Sequence, residues 1–251
     1  MTTQLYILTG ASRGMGAAMV RHLLQPGISL LCISRQTNSG LAELARTTPT
    51  ELEQWPLDLE RGVEAGARLA RWLEARGPTR HASATLINNA AVLPRIGPLR
   101  EADPADLSRA LRVGLEAPMQ LAAAFLRATE SWGVPRRLLN ISSGLGRRAM
   151  AAQAGYCATK AAMDHFSRCV ALEEAGRPNG ARICSLAPGV IDTDMQVQLR
   201  QADPAGFPDR ANFISLKDQG QLSSATDAAA RVLAFLERPD FGANPVADIR
   251  D

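Results

Sequence analysis

The octapeptide Thr9-Gly10-Ala11-Ser12-Arg13-Gly14-Met15-Gly16 directly follows an apolar run over residues 5–8 and precedes a stretch of helical periodicity. Its glycines, in the spacing Gly-x-x-x-Gly-x-Gly, therefore fall where a strand turns into a helix. Glycine lets backbone amides approach a phosphate closely, and the N-terminus of the following helix adds positive potential. Glycine turns also follow strands for steric reasons alone. The octapeptide thus predicts a strand, a turn and a helix, with phosphate binding as the function of the turn.

Outward from this turn, apolar runs of strand length alternate with longer amphipathic stretches. The alternation is typical of repeated strand–helix–strand units, which build a parallel sheet. Strands are predicted near residues 4–9, 28–34, 51–56, 83–88, 136–142, 181–186 and 244–249. Helices are predicted near residues 15–25, 39–47, 60–76, 104–131, 154–175 and 224–237. The connection over residues 188–222 is too long for an ordinary loop and predicts a lid or binding loop.

The composition suits a soluble protein, because 46% of the 251 residues are hydrophobic and 21% are charged. No apolar run approaches the roughly 20 residues of a membrane span, and the N-terminus carries no basic leader, so we expect a cytoplasmic protein without membrane association. The net charge of +3 gives no support for a nucleic-acid partner. The four cysteines and three histidines show no metal-ligand spacing, so no metal is expected.

The end of the second predicted strand bears on which dinucleotide the glycine turn would bind. It reads Cys32-Ile33-Ser34-Arg35 and offers no acidic residue for the ribose hydroxyls of NAD. Arg35, and Arg13 from the turn, can instead pair with a 2′-phosphate, which favours NADP over NAD. They are also two of 26 arginines. Further candidate contacts, which also suit ordinary turn chemistry, are Asp58-Leu59 and Asn88-Asn89-Ala90-Ala91.

Tyr156 and Lys160 stand out because the chain contains only two tyrosines and two lysines. In a helix, residues four apart lie on one face, so the phenol and the ammonium can point into the same cleft. A cation beside a phenol favours the phenolate and lowers the phenol's pKa from about 10. The pair therefore predicts a tyrosine that acts as an acid, although a half-buried aromatic and a solvated lysine would give the same spacing.

Several motifs together resemble the short-chain dehydrogenase/reductase family over nearly the whole chain. They are the glycine turn, Asn88-Asn89-Ala90-Ala91, Ser143 thirteen residues before Tyr156, Lys160, and Pro188-Gly189. The resemblance implies an α/β fold, a single doubly wound Rossmann-type domain over residues 1–251 with a parallel seven-stranded sheet and helices on both faces. It also implies an NADP(H)-dependent oxidoreductase for a small-molecule carbonyl, and a homodimer formed through the helices near 104–131 and 154–175.

The resemblance assigns roles to individual side chains. Tyr156 is expected to donate the proton, Lys160 to lower its pKa and hold the nicotinamide ribose, and Ser143 to orient the substrate carbonyl. Hydride delivery to a carbonyl builds charge on its oxygen, which requires one positioned donor and one proton source there. The cofactor is expected to contact Gly10, Ser12, Arg13, Gly14, Met15, Gly16, Ser34, Arg35, Asp58, Leu59, Asn89, Ala90, Tyr156, Lys160, Val190 and Thr193.

Within that family the chain is more closely similar to the sepiapterin reductase branch. The similarity rests on residues 140–143, 156–158, 171–174 and 187–196, and on the tail over residues 236–241 and 248–251. It implies that Asp248 anchors a pterin, because a carboxylate accepts hydrogen bonds from a donor-rich heterocycle. A solvated terminal aspartate is the alternative for Asp248. We expect a pterin side-chain ketone or a related vicinal dicarbonyl as substrate, with bulky aromatic diketones such as benzil as the alternative.

Two positions depart from the family pattern. Ala91 replaces a glycine, which is a small change, whereas Gly114 stands where most members carry an asparagine that holds a water beside the lysine. Glycine inside a helix costs about 1 kcal/mol relative to alanine and has no side-chain amide. We expect turnover to persist because the proton donor and hydride source remain. The missing amide also motivates an alternative of another class, a cofactor-binding sensor or scaffold without catalysis.

Overall fold

The computed structural model describes residues 2–251, and its centre is a sheet of seven parallel strands. The strands are β1 (Thr3–Thr9), β2 (Ile28–Ser34), β3 (Glu51–Pro56), β4 (His81–Asn88), β5 (Arg136–Ile141), β6 (Arg182–Ala187) and β7 (Val246–Asp248). Their order across the sheet is β3-β2-β1-β4-β5-β6-β7, and each neighbouring pair is parallel. The predicted doubly wound parallel sheet is therefore confirmed.

The helices lie on both faces of this sheet. They are α1 (Gly14–Leu23), α2 (Ser39–Arg46), α3 (Gly62–Arg76), α4 (Pro104–Leu111), α5 (Ala117–Ala128), α6 (Ala154–Ala175), α7 (Asp194–Gln201), α8 (Arg210–Asp218) and α9 (Ala225–Leu236). Helices α1 and α9 cover one face of the sheet, and α3 and α5 cover the other. Because both faces are covered, the central strands are apolar almost throughout.

The alternation of side chains along β1 shows how the two cores are separated. Leu5 and Ile7 belong to the core under α3 and α5, whereas Tyr6 and Leu8 belong to the core under α1 and α9. All four side chains are at most 3% exposed. A strand buried on both faces needs such residues at every position, which explains why residues 5–8 read as an unbroken apolar run.

The strand order reverses direction between β1 and β4. The chain runs from β1 outward to β3 on one side, and returns to β4 on the other side of β1. The connections that leave the carboxyl ends of β1 and β4 therefore diverge and leave a crevice. In open α/β sheets, ligands bind in this crevice.

The single helix predicted over residues 104–131 is interrupted in the structure. Helices α4 and α5 are joined by a π-helical turn over Arg112–Glu116. Pro118 lies in the first turn of α5, and a proline ring clashes with the carbonyl four residues earlier in a regular α-helix. That carbonyl belongs to Gly114, and the wider π-turn gives it room. The interruption thus falls on the residue that departs from the family pattern.

The segment over residues 188–222, predicted to be a lid or binding loop, contains α7 and α8. Its two ends are joined, since Asp192 N donates to Ser223 O at 2.9 Å and Ser223 N donates to Val190 O at 2.9 Å. Phe207 is 1% exposed and stacks on Phe213 at 5.6 Å between ring centroids. The segment is an excursion with its own small apolar centre.

Within residues 2–251, no helix combines the length and apolar character needed to cross a membrane. The same part of the chain shows no group of three or more His, Cys, Asp or Glu side chains placed to hold a metal ion.

Candidate active site

A cleft of about 1440 Å³ opens along the carboxyl edge of the sheet, over the crevice between β1 and β4. It exceeds the roughly 300–1,000 Å³ typical of small-molecule sites, so it has room for more than one small ligand. All the residues predicted to bind cofactor or substrate line it. They are Gly10, Ser12, Arg13, Gly14, Met15, Gly16, Ser34, Arg35, Asp58, Leu59, Asn89, Ala90, Ser143, Tyr156, Lys160, Val190, Thr193 and Asp248.

The glycine turn has a backbone that only glycine supports well. Gly10 and Gly14 have φ angles of +70° and +55°, in the left-handed region that side chains disfavour. At Gly16 the limit is space, because an added Cβ would lie 2.1 Å from the Gly10 carbonyl oxygen. The backbone of this turn is therefore bare and tightly wound at the N-terminus of α1, which is the cradle that a pyrophosphate requires.

Asn89 braces the glycine turn from the neighbouring strand. Its Nδ2 donates to the carbonyl oxygens of Thr9 at 3.0 Å and Gly10 at 3.2 Å. The Thr9 hydroxyl accepts in return from the backbone amides of Asn89 and Ala90 at 2.9 Å and 3.0 Å. The asparagine pair therefore does more than end a strand, because Asn89 fixes the carboxyl ends of β1 and β4 relative to each other.

The two arginines predicted to meet a 2′-phosphate differ in their surroundings. Arg13 forms an exposed ion pair with Asp194, at the start of α7. Arg35 follows β2 and makes no ion pair within residues 2–251. Arg35 is thus the free cation at this end of the cleft, whereas Arg13 is shared with a carboxylate that the sequence analysis did not consider.

Three side chains meet at the other end of the cleft. Ser143 follows β5 in an extended conformation, and its Oγ accepts from Leu145 N at 3.2 Å. Tyr156 and Lys160 lie on α6, and the Lys160 Nζ is 5.7 Å from the centroid of the Tyr156 ring. We call Ser143, Tyr156 and Lys160 the candidate triad. The helical spacing of the pair was predicted, and the structure places it in the cleft beside Ser143.

Burial dominates the electrostatics of this group. It raises the pKa of Tyr156 to about 12, and the Ser143 hydroxyl opposes that shift. Burial also lowers the pKa of Lys160 to about 8, against an opposing effect of Asp164. Near neutral pH the phenol and the ammonium therefore both hold their protons.

The expectation that Lys160 lowers the pKa of Tyr156 is not met in this structure, where the net shift is upward. The reason is geometric. Lys160 is 3% exposed, and its Nζ donates to the carbonyl oxygen of Ile141 at 2.7 Å. The ammonium is thus turned toward the end of β5, and it is not among the groups that shift the pKa of Tyr156.

The excursion over residues 188–222 covers the glycine turn with its first residues. Thr193 precedes α7, and its Cγ2 would lie 3.9 Å from a Cβ at Gly14. The base of the excursion is held by Asp192, whose carboxylate accepts from Lys217 Nζ at 2.6 Å. The predicted cofactor contacts at Val190 and Thr193 are therefore carried by a braced segment.

Asp248 ends β7 and lies in the same cleft as the candidate triad. Its two carboxylate oxygens accept from Arg250 Nε and Nη2, each at 2.7 Å. These hydrogen bonds from Arg250 lower the pKa of Asp248 below its ordinary value. Asp248 is 8% exposed, which disfavours the alternative of a solvated terminal aspartate, and its carboxylate already has a partner.

Gly114 packs against α6 beside the candidate triad. A Cβ at this position would lie 2.6 Å from Cγ2 of Thr159, the neighbour of Lys160. Thr159 is 3% exposed, and its Oγ1 donates to the carbonyl oxygen of Gly155 at 2.8 Å. The methyl group of Thr159 therefore occupies the space that a side chain at position 114 would need.

Sequence reasoning did not identify several other residues that line the cleft. Gln153 and Gln196 are 2% and 7% exposed, and Gln153 Nε2 and Gln196 Oε1 have no hydrogen-bond partner. Arg147 and Arg148 also line the cleft beside Ser143. Gln153 lies three residues before Tyr156, one helical turn away, which is the only signal in the sequence that points to it.

The doubly wound sheet and the glycine turn over its crevice define a Rossmann-type α/β protein with a dinucleotide site. The family model for short chain dehydrogenase matches residues 4–204. The chain belongs to the short-chain dehydrogenase/reductase family of oxidoreductases, whose cofactors are NAD(H) or NADP(H).

The chain is similar along nearly its full length to proteins of named activity. It is 33% identical over 235 residues to a benzil reductase ((S)-benzoin forming) of Bacillus cereus, covering 94% of each chain. It is 31% identical over 258 residues to a sepiapterin reductase of Rattus norvegicus, covering 98% of this chain and 95% of that protein. A short-chain dehydrogenase/reductase structure from Burkholderia vietnamiensis is 34% identical, with a TM-score of 0.66 over 98% of this chain and 97% of that one.

Proposed function

We propose that the protein is an NADPH-dependent carbonyl reductase that acts on a pterin side-chain ketone or a related vicinal dicarbonyl. The observation that carries the proposal is that a buried phenol, a serine hydroxyl and a buried ammonium line the same cleft as the glycine turn. Similarity to carbonyl-reducing relatives supports the same class of reaction.

The residues of the chain fit the dinucleotide. The positive φ angles of Gly10 and Gly14, and the space that a Cβ at Gly16 would fill, leave the turn open to a pyrophosphate. Lys160 would bind the nicotinamide ribose, and Thr193 would contact the amide of the nicotinamide ring. When NADPH is bound, its nicotinamide supplies the hydride.

The candidate triad handles the charge that the hydride creates on the substrate oxygen. Ser143 Oγ donates a hydrogen bond to that oxygen and orients the carbonyl. The Tyr156 hydroxyl then gives its proton to the same oxygen, which completes the alcohol and leaves a phenolate. The Lys160 ammonium stabilises the phenolate until solvent returns the proton.

We propose NADPH as the preferred cofactor because of the charges beside β2. No carboxylate follows Ser34, whose Oγ donates to the carbonyl oxygen of Gln36 at 2.8 Å. Arg35 offers a free guanidinium to a 2′-phosphate, and Arg13 can join it if its pairing with Asp194 is exchanged for the phosphate.

The proposal has two forms, which differ in whether the substrate is a pterin or an aromatic diketone. A pterin would use Asp248 as acceptor for its amino and ring N–H groups, and would have to displace Arg250 from the carboxylate. An aromatic diketone such as benzil needs no anchor, and similarity to the Bacillus cereus benzil reductase supports that form. Apolar residues of the cleft, including Leu93, Met150 and Phe213, suit either ring system.

Oxidation of NADPH and NADH, measured with sepiapterin, benzil and a simple ketone side by side, tests the proposal. We expect turnover of at least one vicinal dicarbonyl, faster with NADPH than with NADH. Cofactor binding without oxidation across this panel would contradict an enzymatic function and favour the sensor or scaffold.

Asp248→Asn separates the two substrate forms. Charge-assisted hydrogen bonds contribute about 1.5–3 kcal/mol, so loss of the carboxylate should reduce kcat/KM for sepiapterin about 10- to 100-fold and leave benzil turnover within a factor of about two. Asp240→Asn is the matched control, because Asp240 is also paired with an arginine two residues away, Arg238, outside the cleft. Equal losses on both substrates would contradict the anchoring role.

Gly114→Asn restores the side-chain amide that most family members carry at this position and tests whether its absence slows proton return. The substitution is best made in a Thr159→Ser background, because Thr159 occupies the space that the new side chain needs. Serine keeps the hydroxyl that bonds to Gly155 and removes the methyl group that a Cβ at position 114 would strike. If proton return limits the enzyme, the double variant should exceed the Thr159→Ser control several-fold in kcat. Equal rates would show that proton return does not need the amide.

We expect Gly114→Asn alone to lose about 1–3 kcal/mol of stability from overpacking, measured by denaturant unfolding.

A further inference from the structure

Asp164 is a buried carboxylate for which the proposed mechanism has no role. It lies on α6 one helical turn after Lys160 and is 2% exposed. Its Oδ1 accepts from Ser142 Oγ at 2.5 Å and from Ser185 Oγ at 2.7 Å. These serines come from β6 and from the residue after β5, so both strands that flank the candidate triad hold this one oxygen.

The other oxygen of Asp164 is poorly satisfied. Oδ2 has no hydrogen-bond partner, and its nearest cation is Arg147 Nε at 3.6 Å. A Cβ at Gly146 would lie 2.8 Å from it, so the backbone also closes around this oxygen. A buried carboxylate held so incompletely is costly. Its position needs an explanation beyond packing.

We infer that Asp164 is a positioning residue for Lys160, whose charge keeps the buried ammonium protonated beside Tyr156. The inference rests on the proposed function for its effect on turnover, but its electrostatic part concerns this chain alone. Lys160 and Asp164 occupy positions i and i+4 of α6, hence one face of the helix, and both are at most 3% exposed. In so little water, charges one helical turn apart interact strongly.

The other charged and titratable groups around Asp164 come from every element packed on it. Tyr156 and Lys160 share α6, Arg147 comes from the turn after β5, and Cys184 comes from β6. The Asp248–Arg250 pair lies beyond Arg147, which helps to lower the pKa of Asp248. Asp164 is the carboxylate that counteracts the effect of burial on Lys160. Burial first, and Asp164 second, raise the pKa of the Cys184 thiol to about 12, so this thiol stays neutral.

Asp164→Asn tests the inference through the pH profile of kcat/KM. Reduction requires protonated Lys160, so the wild-type profile should fall as the pH rises through a pKa of about 8. Without the carboxylate the ammonium loses its proton more readily, and the alkaline limb should move down by about one pH unit. A purely structural role for Asp164 would lower the rate without moving this limb.

Unfolding measured at about pH 7 and about pH 9.5 gives a second readout that needs no substrate. The native pKa of Lys160, about 8, lies below its ordinary value of 10.5. The buried ammonium therefore disfavours folding below pH 8, and this penalty is relieved as the pH rises toward 10.5. Because Asp164 offsets the penalty only while Lys160 is charged, Asp164→Asn should lower the denaturant midpoint more at pH 7 than at pH 9.5.

Glu174→Gln is the matched control. Glu174 is a second buried carboxylate on α6, paired with Arg136 at 3.1 Å. It lies fourteen residues after Lys160, about 21 Å along the helix. We expect Glu174→Gln to destabilise the protein equally at both pH values and to leave the pH profile in place. An equal loss at both pH values in Asp164→Asn, with an unmoved alkaline limb, would overturn the inference.

Arg147→Gln keeps the inference testable if Asp164→Asn does not fold. Arg147 has a side chain 34% exposed, so its loss is better tolerated. Removal of this cation leaves the charge of Asp164 unopposed, and the alkaline limb should move to higher pH. A limb that stays in place or moves to lower pH would overturn the inference. If the wild type turns over no substrate, the proposed function fails, whereas the unfolding data still decide the role of Asp164.

Discussion

Tyr156→Phe is expected to reduce NADPH-dependent turnover by about 10³-fold, because it removes the proton that the substrate oxygen must receive. The phenol is 9% exposed, and burial holds its pKa near 12, so it enters the reaction protonated. Phenylalanine fills the same space and leaves the cleft intact. The loss should appear in kcat and kcat/KM alike, as expected for an interaction made only in the transition state.

The chain supplies its own control for this variant, since Tyr6 is the only other tyrosine. Tyr6 lies in β1, is 3% exposed and donates to Glu237 at 2.8 Å. Tyr6→Phe should lower the unfolding midpoint and leave turnover nearly unchanged. NADPH binding, followed by cofactor fluorescence, should survive in both variants. Retention of most activity in Tyr156→Phe would refute the assignment of the proton donor, whatever the substrate.

The architecture was predictable because its signals are local. A strand buried on both faces must be apolar at every position, and a turn with positive φ angles must contain glycine. The apolar run of β1 and the glycines of the adjacent octapeptide therefore together predict the strand and the turn. The candidate triad was predictable for a similar reason. The helical period places Tyr156 and Lys160 on one face of α6 without any knowledge of the rest of the chain.

What the sequence did not reveal depends on contacts between distant elements. The π-turn at Arg112–Glu116 reflects Pro118 and the close approach of α6, and its fit around Thr159 appears only in three dimensions. The net direction of the pKa shift of Tyr156 depends on burial, which spacing alone does not report. The pairing of Asp248 with Arg250 is a matter of side-chain conformation. The homodimer implied by the family stays a prediction.

The substrate is the least local property of all. Asp248 reaches the cleft from β7, Phe213 from α8 and Leu93 from the chain after β4, so three separated segments shape one surface. The phosphate cradle, by contrast, is formed by a single continuous octapeptide. This difference explains why sequence reasoning extends to the glycine turn and the candidate triad but leaves a pterin and an aromatic diketone as rival substrates.

Gly16→Ala is expected to weaken NADPH binding about 100-fold, although it adds a single methyl group. The new Cβ would lie 2.1 Å from the Gly10 carbonyl oxygen and 2.7 Å from Asn89 Nδ2. Relief of that contact must open the turn and break the hydrogen bond from Asn89 to Gly10. Overpacking of a closed site costs about 3 kcal/mol at its upper end, which corresponds to about 100-fold in a dissociation constant.

Gly176→Ala is the control for the added methyl group. Gly176 follows α6 with a φ angle of −86°, and nothing lies within 4 Å of a Cβ there. The dissociation constant for NADPH, titrated by cofactor fluorescence, should therefore rise in Gly16→Ala and stay unchanged in Gly176→Ala. If Gly16→Ala binds NADPH as tightly as the wild type, the cofactor does not sit on this turn. The glycines of the turn would then serve only the packing of α1 against β1 and β4. This is the steric alternative to phosphate binding that the octapeptide alone left open.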